Sequence, residues 1–129
     1  MHENEISGII VDAAYKIHTT LGPGLLESVY EVVLAHELER RGLHVRSQQP
    51  MPVIYEDVRL EIGFRADIVV ENKVVIEVKS VEVIAPVHPK QLRTYLRLMD
   101  LQLGLLINFN VPLIKDGIQR VVNNLREPV

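Results

Sequence analysis

The stretch RADIVVENKVVIEVKS, residues 65–80, decides the fold that we predict for this chain of 129 residues. Residues 65–70 and 74–80 are rich in β-branched side chains, which favour strands. The three residues between them, 71–73, are polar and suit a tight turn. The stretch therefore predicts a β-hairpin.

The register of this hairpin brings two carboxylates together. A three-residue turn pairs Val70 with Val74, and counting back along both strands places Asp67 opposite Glu77. Paired residues share a face of the sheet, whereas a shift of one residue would move the two carboxylates to different faces. One face is then uniformly apolar and consists of Ala66, Ile68, Val70, Val74, Ile76 and Val78. The opposite face carries charged residues at one end, namely Arg65, Asp67, Glu77 and Lys79.

Two carboxylates in this position repel each other unless a positive charge lies between them, because their Cβ atoms are about 5 Å apart. Mg²⁺ or Mn²⁺ suits such oxygen ligands, and a bound divalent ion polarises a phosphoryl oxygen and lowers the pKa of water. Lys79 shares the face of Glu77 and lies within reach of such a water or phosphate. The alternative is a surface ladder in which Arg65 and Lys79 neutralise Asp67 and Glu77.

The rest of the chain predicts helices and strands around this hairpin. Helical spacing covers residues 5–21 and 25–41, with Gly22-Pro23-Gly24 between the two helices and Gly42 at the end of the second. Pro50 and Pro52 favour an edge or irregular strand within an extended segment. The remaining predicted segments are strands at 44–55, 58–64 and 103–109, a helix at 89–100, and an ambiguous segment at 118–125. The order is helix, helix, about four strands, helix and strand. It predicts a single domain over residues 1–129 in the α/β (α+β) class, with a central mixed sheet flanked by helices.

Composition limits the function. The chain has no Cys, so disulfides, thiolate zinc sites and Cys nucleophiles are excluded. A net charge of -3 means that nucleic acid would be held by a local site or a metal rather than by bulk charge. The acidic start and the lack of a long apolar run predict a cytoplasmic protein that is not in a membrane. The mean hydropathy of +0.13 indicates an apolar face that a second copy or another partner covers, and a homodimer is the commonest arrangement of this kind.

Two helices carry further polar side chains at helical spacing. His88, Gln91 and Tyr95 are three and then four residues apart, so they line one face, which either binds a phosphate or is only solvated. His88 precedes Pro89, and we expect it to cap the helix. Glu27 and Tyr30 lie one turn apart after the Gly-Pro-Gly break, where a glutamate also interacts favourably with the helix dipole.

Together these residues resemble a known family. Residues 24–30, Gly-Leu-Leu-Glu-Ser-Val-Tyr, resemble the signature of the GxxExxY protein family. Asp67, followed by Glu77-Val78-Lys79 and then by Gln91 and Tyr95, resembles the PD-(D/E)xK nuclease superfamily, to which that family is assigned. The resemblance extends from about residue 21 to residue 125. Ala66 stands where the superfamily's name has Pro, at a position that supplies no ligand.

The resemblance implies a restriction-endonuclease-like core and assigns a role to each site residue. Asp67, Glu77 and the Val78 carbonyl would bind Mg²⁺ or Mn²⁺, and Glu27 would join this metal site. Lys79 would act as the catalytic lysine. The substrate-binding group that we predict consists of Gln91, Tyr95, Tyr30 and His88.

Two hypotheses about function follow. The first is a metal-dependent phosphodiesterase, a nuclease that acts on DNA or RNA. The second is a nuclease-like binding or regulatory module in a protein or nucleic-acid complex, which the acidic net charge and small size favour. Glu77 and Lys79 favour the first hypothesis, because a binding module does not need that pair.

Overall fold

The computed structural model describes residues 1–128. The elements in chain order are α1 (Glu3–Leu21), α2 (Glu27–Arg40), β1 (Val45–Tyr55), β2 (Val58–Val70), β3 (Val74–Lys79), α3 (Val87–Met99), β4 (Leu103–Asn108), a 3₁₀ turn (Ile114–Gly117) and β5 (Ile118–Val122). Among these residues, no helix combines the length and the apolar character that a membrane crossing requires.

The five strands form one mixed sheet in the order β1-β2-β3-β4-β5. All neighbours are antiparallel except β3 and β4, which are parallel and are connected through α3. A parallel pair needs such a crossover, because the chain must return to the end of the sheet at which β3 begins before it can start β4. The central mixed sheet predicted from the sequence is therefore present.

Helices cover the two faces of the sheet unequally. The core on one face joins α1 and α2 to the sheet through residues such as Ile10, Leu34 and Ile76, which are fully buried. The smaller core on the other face packs Leu92 and Leu96 of α3 against Val75 and its neighbours. The second core also depends on Gly104, because a Cβ there would lie 2.9 Å from the Leu92 side chain. Because Gly104 has no side chain, α3 can pack close to the sheet.

The predicted edge strand is confirmed. β1 lies at the edge of the sheet, and its register with β2 is irregular between Met51 and Val53. Pro50 and Pro52 lack the N–H that an interior strand needs on both sides, so the edge position suits them.

Two sequence predictions about elements are wrong, and a third that was left open is decided by the structure. The two strands predicted at 58–64 and 65–70 form one continuous strand, β2, so three strands rather than about four precede α3. The third helix begins at Val87 with Pro86 as its N-cap, so His88 lies inside the first turn and does not cap the helix. The ambiguous segment forms a short strand, β5, since its residues pair with β4.

Candidate active site

The β2–β3 hairpin follows the predicted register only near its turn. Val70 pairs with Val74, Val69 with Val75 and Ile68 with Ile76, and the backbone ladder ends there. Beyond it the Asp67 N–H donates to Glu77 Oε2 at 3.1 Å, and the Val78 N–H donates to Asp67 Oδ2 at 2.9 Å. The two carboxylates therefore lie together as predicted, but they do so by replacing ladder hydrogen bonds with side-chain bonds.

The end of the ladder also changes which face Ala66 occupies. The sequence places Ala66 on the same face as Ile68, whereas in the structure it is buried with Val69 and Val75 on the side of α3. Alternation along a strand holds only while the pleat is regular. The irregular backbone at Asp67 interrupts the pleat, so the prediction for Ala66 is wrong.

The two carboxylates lie among further negative charge. Only 6% of the Glu77 surface is exposed, and burial together with the Asp67 charge raises the pKa of this carboxyl to about 8, although Lys79 opposes the shift. Burial and the Asp67 charge also raise the pKa of Glu31 to about 7, although a 2.7 Å hydrogen bond from Gln48 opposes that shift. Burial is the main cause of both shifts, and the repulsion between these neighbouring carboxylates adds to it.

Glu31 is a site residue that sequence reasoning missed. It lies on α2 one turn after Glu27, and both line an open cleft of about 360 Å³ next to Asp67 and Gln48. The spacing of four residues from Glu27 was the available signal, because residues i and i+4 share a helix face. What the sequence did not show is that this face of α2 lies over the end of β2.

Glu27 is held at the site by the segment that follows β3. The Ser80 N–H donates to Glu27 Oε2 at 3.2 Å, and the Ser80 hydroxyl donates to the Leu25 carbonyl at 2.6 Å. Both bonds join the start of α2 to the residue directly after Lys79. The predicted proximity of Glu27 and Lys79 therefore has a specific structural cause.

Lys79 is half-buried at the end of β3, where β3 still pairs with β4. The Phe109 N–H donates to the Lys79 carbonyl at 3.0 Å. Asn108, which is 3% exposed, accepts from the Val81 N–H at 3.1 Å and donates to the Val81 carbonyl at 2.9 Å. These bonds fix the backbone on which Lys79 stands, while its ammonium is close enough to lower the pKa of Glu77.

The predicted face of α3 is divided between site and solvent. Tyr95 is half-buried, its ring stacks on Phe64 with centroids 4.2 Å apart, and burial together with Glu77 and Asp67 raises its pKa. Gln91 is exposed one turn before Tyr95. Within the part of the chain that the structure describes, the buried Nδ1 atom of His88 has no hydrogen-bond partner. Only Tyr95 is shown next to the carboxylates, and substrate binding by Gln91 and His88 stays a prediction.

The prediction that Tyr30 binds substrate is wrong. Its side chain is fully buried, and its ring stacks on Phe109 with centroids 4.5 Å apart. Its hydroxyl donates to the Gly22 carbonyl and accepts from the Leu25 N–H. Tyr30 therefore holds the turn between α1 and α2 and has no free surface for a substrate.

The charges favour a cation site over a neutralised surface ladder. The ion pairs recorded for residues 1–128 do not include Arg65 or Lys79, so neither pairs with Asp67 or Glu77 within 4 Å. Across the same range, no group of three His, Asp or Glu side chains converges to hold a metal. The two carboxylates nevertheless supply the hard oxygen ligands that Mg²⁺ prefers, with water and phosphate completing its shell. The donor chemistry and excess negative charge therefore fit a divalent cation.

A family model described as PD-(D/E)XK nuclease superfamily matches residues 4–121. The chain belongs to this superfamily. Its fold, a mixed sheet with helices on both faces, is that of the restriction-endonuclease-like core, and proteins of the superfamily are generally divalent-metal-dependent nucleases. No curated protein sequence and no solved structure matches the chain. Assignment to the narrower GxxExxY family stays a prediction.

Proposed function

We propose that this PD-(D/E)XK protein hydrolyses phosphodiester bonds of DNA or RNA with Mg²⁺ or Mn²⁺ as cofactor. One observation carries the proposal: Asp67 and Glu77 meet where the β2–β3 ladder ends, and Lys79 follows Glu77 by two residues on β3. Placing two carboxylates in one half-buried position costs stability, as the raised pKa of Glu77 indicates. Such a cost is typical of a functional site.

In this proposal, the carboxylates of Asp67 and Glu77 and the Val78 carbonyl are the metal ligands, with Glu27 as a further ligand from α2. A divalent cation polarises the phosphoryl oxygen and lowers the pKa of a water when bound. Lys79 donates hydrogen bonds to the attacking water or to the phosphate oxygens, which stabilises the negative charge that develops there. Tyr95 and Gln91 orient the substrate from α3.

A cleavage assay tests the proposal. Labelled single- and double-stranded DNA and RNA are incubated with the protein in Mn²⁺, in Mg²⁺ or in EDTA. Glu77→Gln protein purified identically is the control for contaminating nucleases. We expect cleavage that requires the metal and is lost in Glu77→Gln. Equal cleavage by both proteins would contradict the proposal.

One observation favours a non-catalytic binding module as the second candidate. The carboxylates of Asp67 and Glu77 accept backbone hydrogen bonds, so they are not already arranged around a cation. Binding of labelled nucleic acid to Glu77→Gln protein and to wild type, each with and without Mn²⁺, separates the two functions. Nucleic-acid binding that is independent of the metal, together with no cleavage by wild type, would identify a module. The cytoplasmic location stays a prediction.

A further inference from the structure

The outer part of the β1–β2 hairpin is an arm that no helix covers. We define the arm as residues 53–62, and Phe64 is the first β2 residue beyond it that packs against a helix, through its stack on Tyr95. Five large apolar side chains on the arm are exposed by more than half of their surface: Ile54, Tyr55, Val58, Leu60 and Ile62. A two-stranded ribbon is at best marginally stable in water unless another layer covers it.

Three of these side chains form a stripe on one face of the arm. Tyr55 lies directly opposite Val58, and Leu60 follows Val58 by two residues, so all three point the same way. Between them, Arg59 and Glu61 point to the other face and form an ion pair at 2.8 Å. Ile54 pairs with Arg59 and shares that second face, so the second face is mixed and the stripe is the continuous apolar surface of the arm.

The edge of the arm is a poor place for a partner strand. β1 is the edge strand, and Pro50 and Pro52 remove two of its N–H donors next to the register irregularity. A partner that added a strand there would lose those hydrogen bonds. The apolar stripe, rather than the edge, is the surface on which a partner would pack.

The hairpin carries acidic residues at its tip and a basic residue further along its length. The turn at the tip carries Glu56 and Asp57, whereas exposed Arg65 lies on β2 just inside the arm. In the ion pairs recorded for residues 1–128, none of these three residues takes part. If two hairpins pack antiparallel about a twofold axis, the acidic tip of each lies near Arg65 of the other.

We propose that the arm is a dimerisation surface, on which two copies of this chain pack their apolar stripes antiparallel about a twofold axis. Nucleic acid is the less suitable occupant, because the arm carries one Arg against three acidic residues and would repel phosphates. A second copy supplies both an apolar stripe and the opposite charges. The proposal does not depend on the chemistry of the active site.

Sedimentation of the full chain over a range of concentrations tests the dimer. We expect wild type to have twice the 14.7 kDa mass of one chain at micromolar concentrations. The double variant Val58→Thr, Leu60→Thr should weaken association at least 100-fold, since each copy loses two aliphatic side chains from the apolar stripe. The matched control is Val32→Thr, Val83→Thr, which removes exposed apolar groups outside the arm and should leave the dimer intact. Far-ultraviolet circular dichroism checks that each variant is folded.

Charge reversal provides an independent test with its own rescue. Arg65→Glu should weaken the dimer about 10-fold, and adding Glu56→Lys with Asp57→Lys should restore it. A wild type that stays monomeric at about 200 µM, or a dimer that persists in the arm variant, would overturn the proposal. So would a monomeric wild type whose arm variant loses nucleic-acid binding, because that result assigns the arm to nucleic acid.

Discussion

The two ends of β2 differ sharply although one continuous strand joins them. At its inner end Ala66, Ile68 and Val70 are fully buried, and Asp67 is partly buried with its carboxylate accepting from the Val78 N–H. At its outer end Val58 and Leu60 are more than half exposed. Both ends have apolar side chains at alternating positions. Alternation therefore indicates that a face of the strand is suited to burial, but it does not indicate what covers that face. Helices cover the inner end, and we infer that a second copy covers the outer end.

The largest effect that we expect is at the inner end, where chemistry is proposed. Lys79→Ala should reduce cleavage by about 10³-fold or more, because the ammonium that stabilises the reacting phosphate is lost. Mn²⁺ binding, followed by calorimetry, should be largely spared, because Asp67 and Glu77 remain. Lys90→Ala, on the exposed surface of α3, is the matched control. Cleavage at the wild-type rate by Lys79→Ala would refute the role of this residue.

A pair of core and arm substitutions tests the comparison directly. Ile76→Ala at the inner end should lower the free energy of unfolding by about 2–5 kcal/mol, because it leaves a cavity in a fully buried core. Leu60→Ala should lower the free energy of unfolding much less in dilute protein. This loss should grow as the protein concentration rises, because the substitution weakens the dimer. Thermal unfolding at several concentrations measures both. If the loss of stability in Leu60→Ala did not depend on protein concentration, the distinction between the two ends of β2 would be wrong.

The raised pKa of Glu77 predicts how stability depends on pH. Its folded value of about 8 exceeds the ordinary value of 4.5, so the folded state holds a proton that the unfolded state loses between these pH values. Stability of the metal-free protein should therefore be greatest below about pH 4.5 and fall as the pH rises towards 8, by at most about 1.4 kcal/mol per pH unit from this group. Urea unfolding between pH 5 and 8 measures the slope. Glu77→Gln should reduce this slope and leave the part that Glu31 contributes. An unchanged slope in that variant would show that Glu77 does not cause the dependence.

The smallest effect concerns Tyr30. Tyr30→Phe removes the hydroxyl that bonds Gly22 and Leu25 but keeps the ring on Phe109, so unfolding should become easier by about 1–2 kcal/mol. If cleavage is observed, its KM for nucleic acid should not change, because the side chain is buried. Chemical denaturation and steady-state kinetics measure the two effects. A large rise in KM with unchanged stability would show that Tyr30 does take part in substrate binding.

The sequence predicted the site where its reasoning was local. The turn at 71–73 sets the register of the hairpin, and that register brings Asp67 close to Glu77 even though the ladder itself ends at Ile68 and Ile76. The place of Lys79 follows from the same strand. Helical spacing likewise predicted Glu27 near the start of α2, although its contact with Ser80 could not be foreseen.

The tertiary structure decided what depends on the packing of distant segments. Glu31 joins the site only because α2 lies over the end of β2, and Tyr30 is buried in the core that α1 and α2 form with the sheet, where its ring stacks on Phe109. Ala66 changes face because two side chains replace the ladder bonds at Asp67. The apolar pattern of residues 58–64 is the same whether or not a helix covers it. The sequence by itself therefore determined strand order in the hairpin and the chemistry at its inner end, since both follow from short-range geometry. Coverage and burial depended on which segments meet in space.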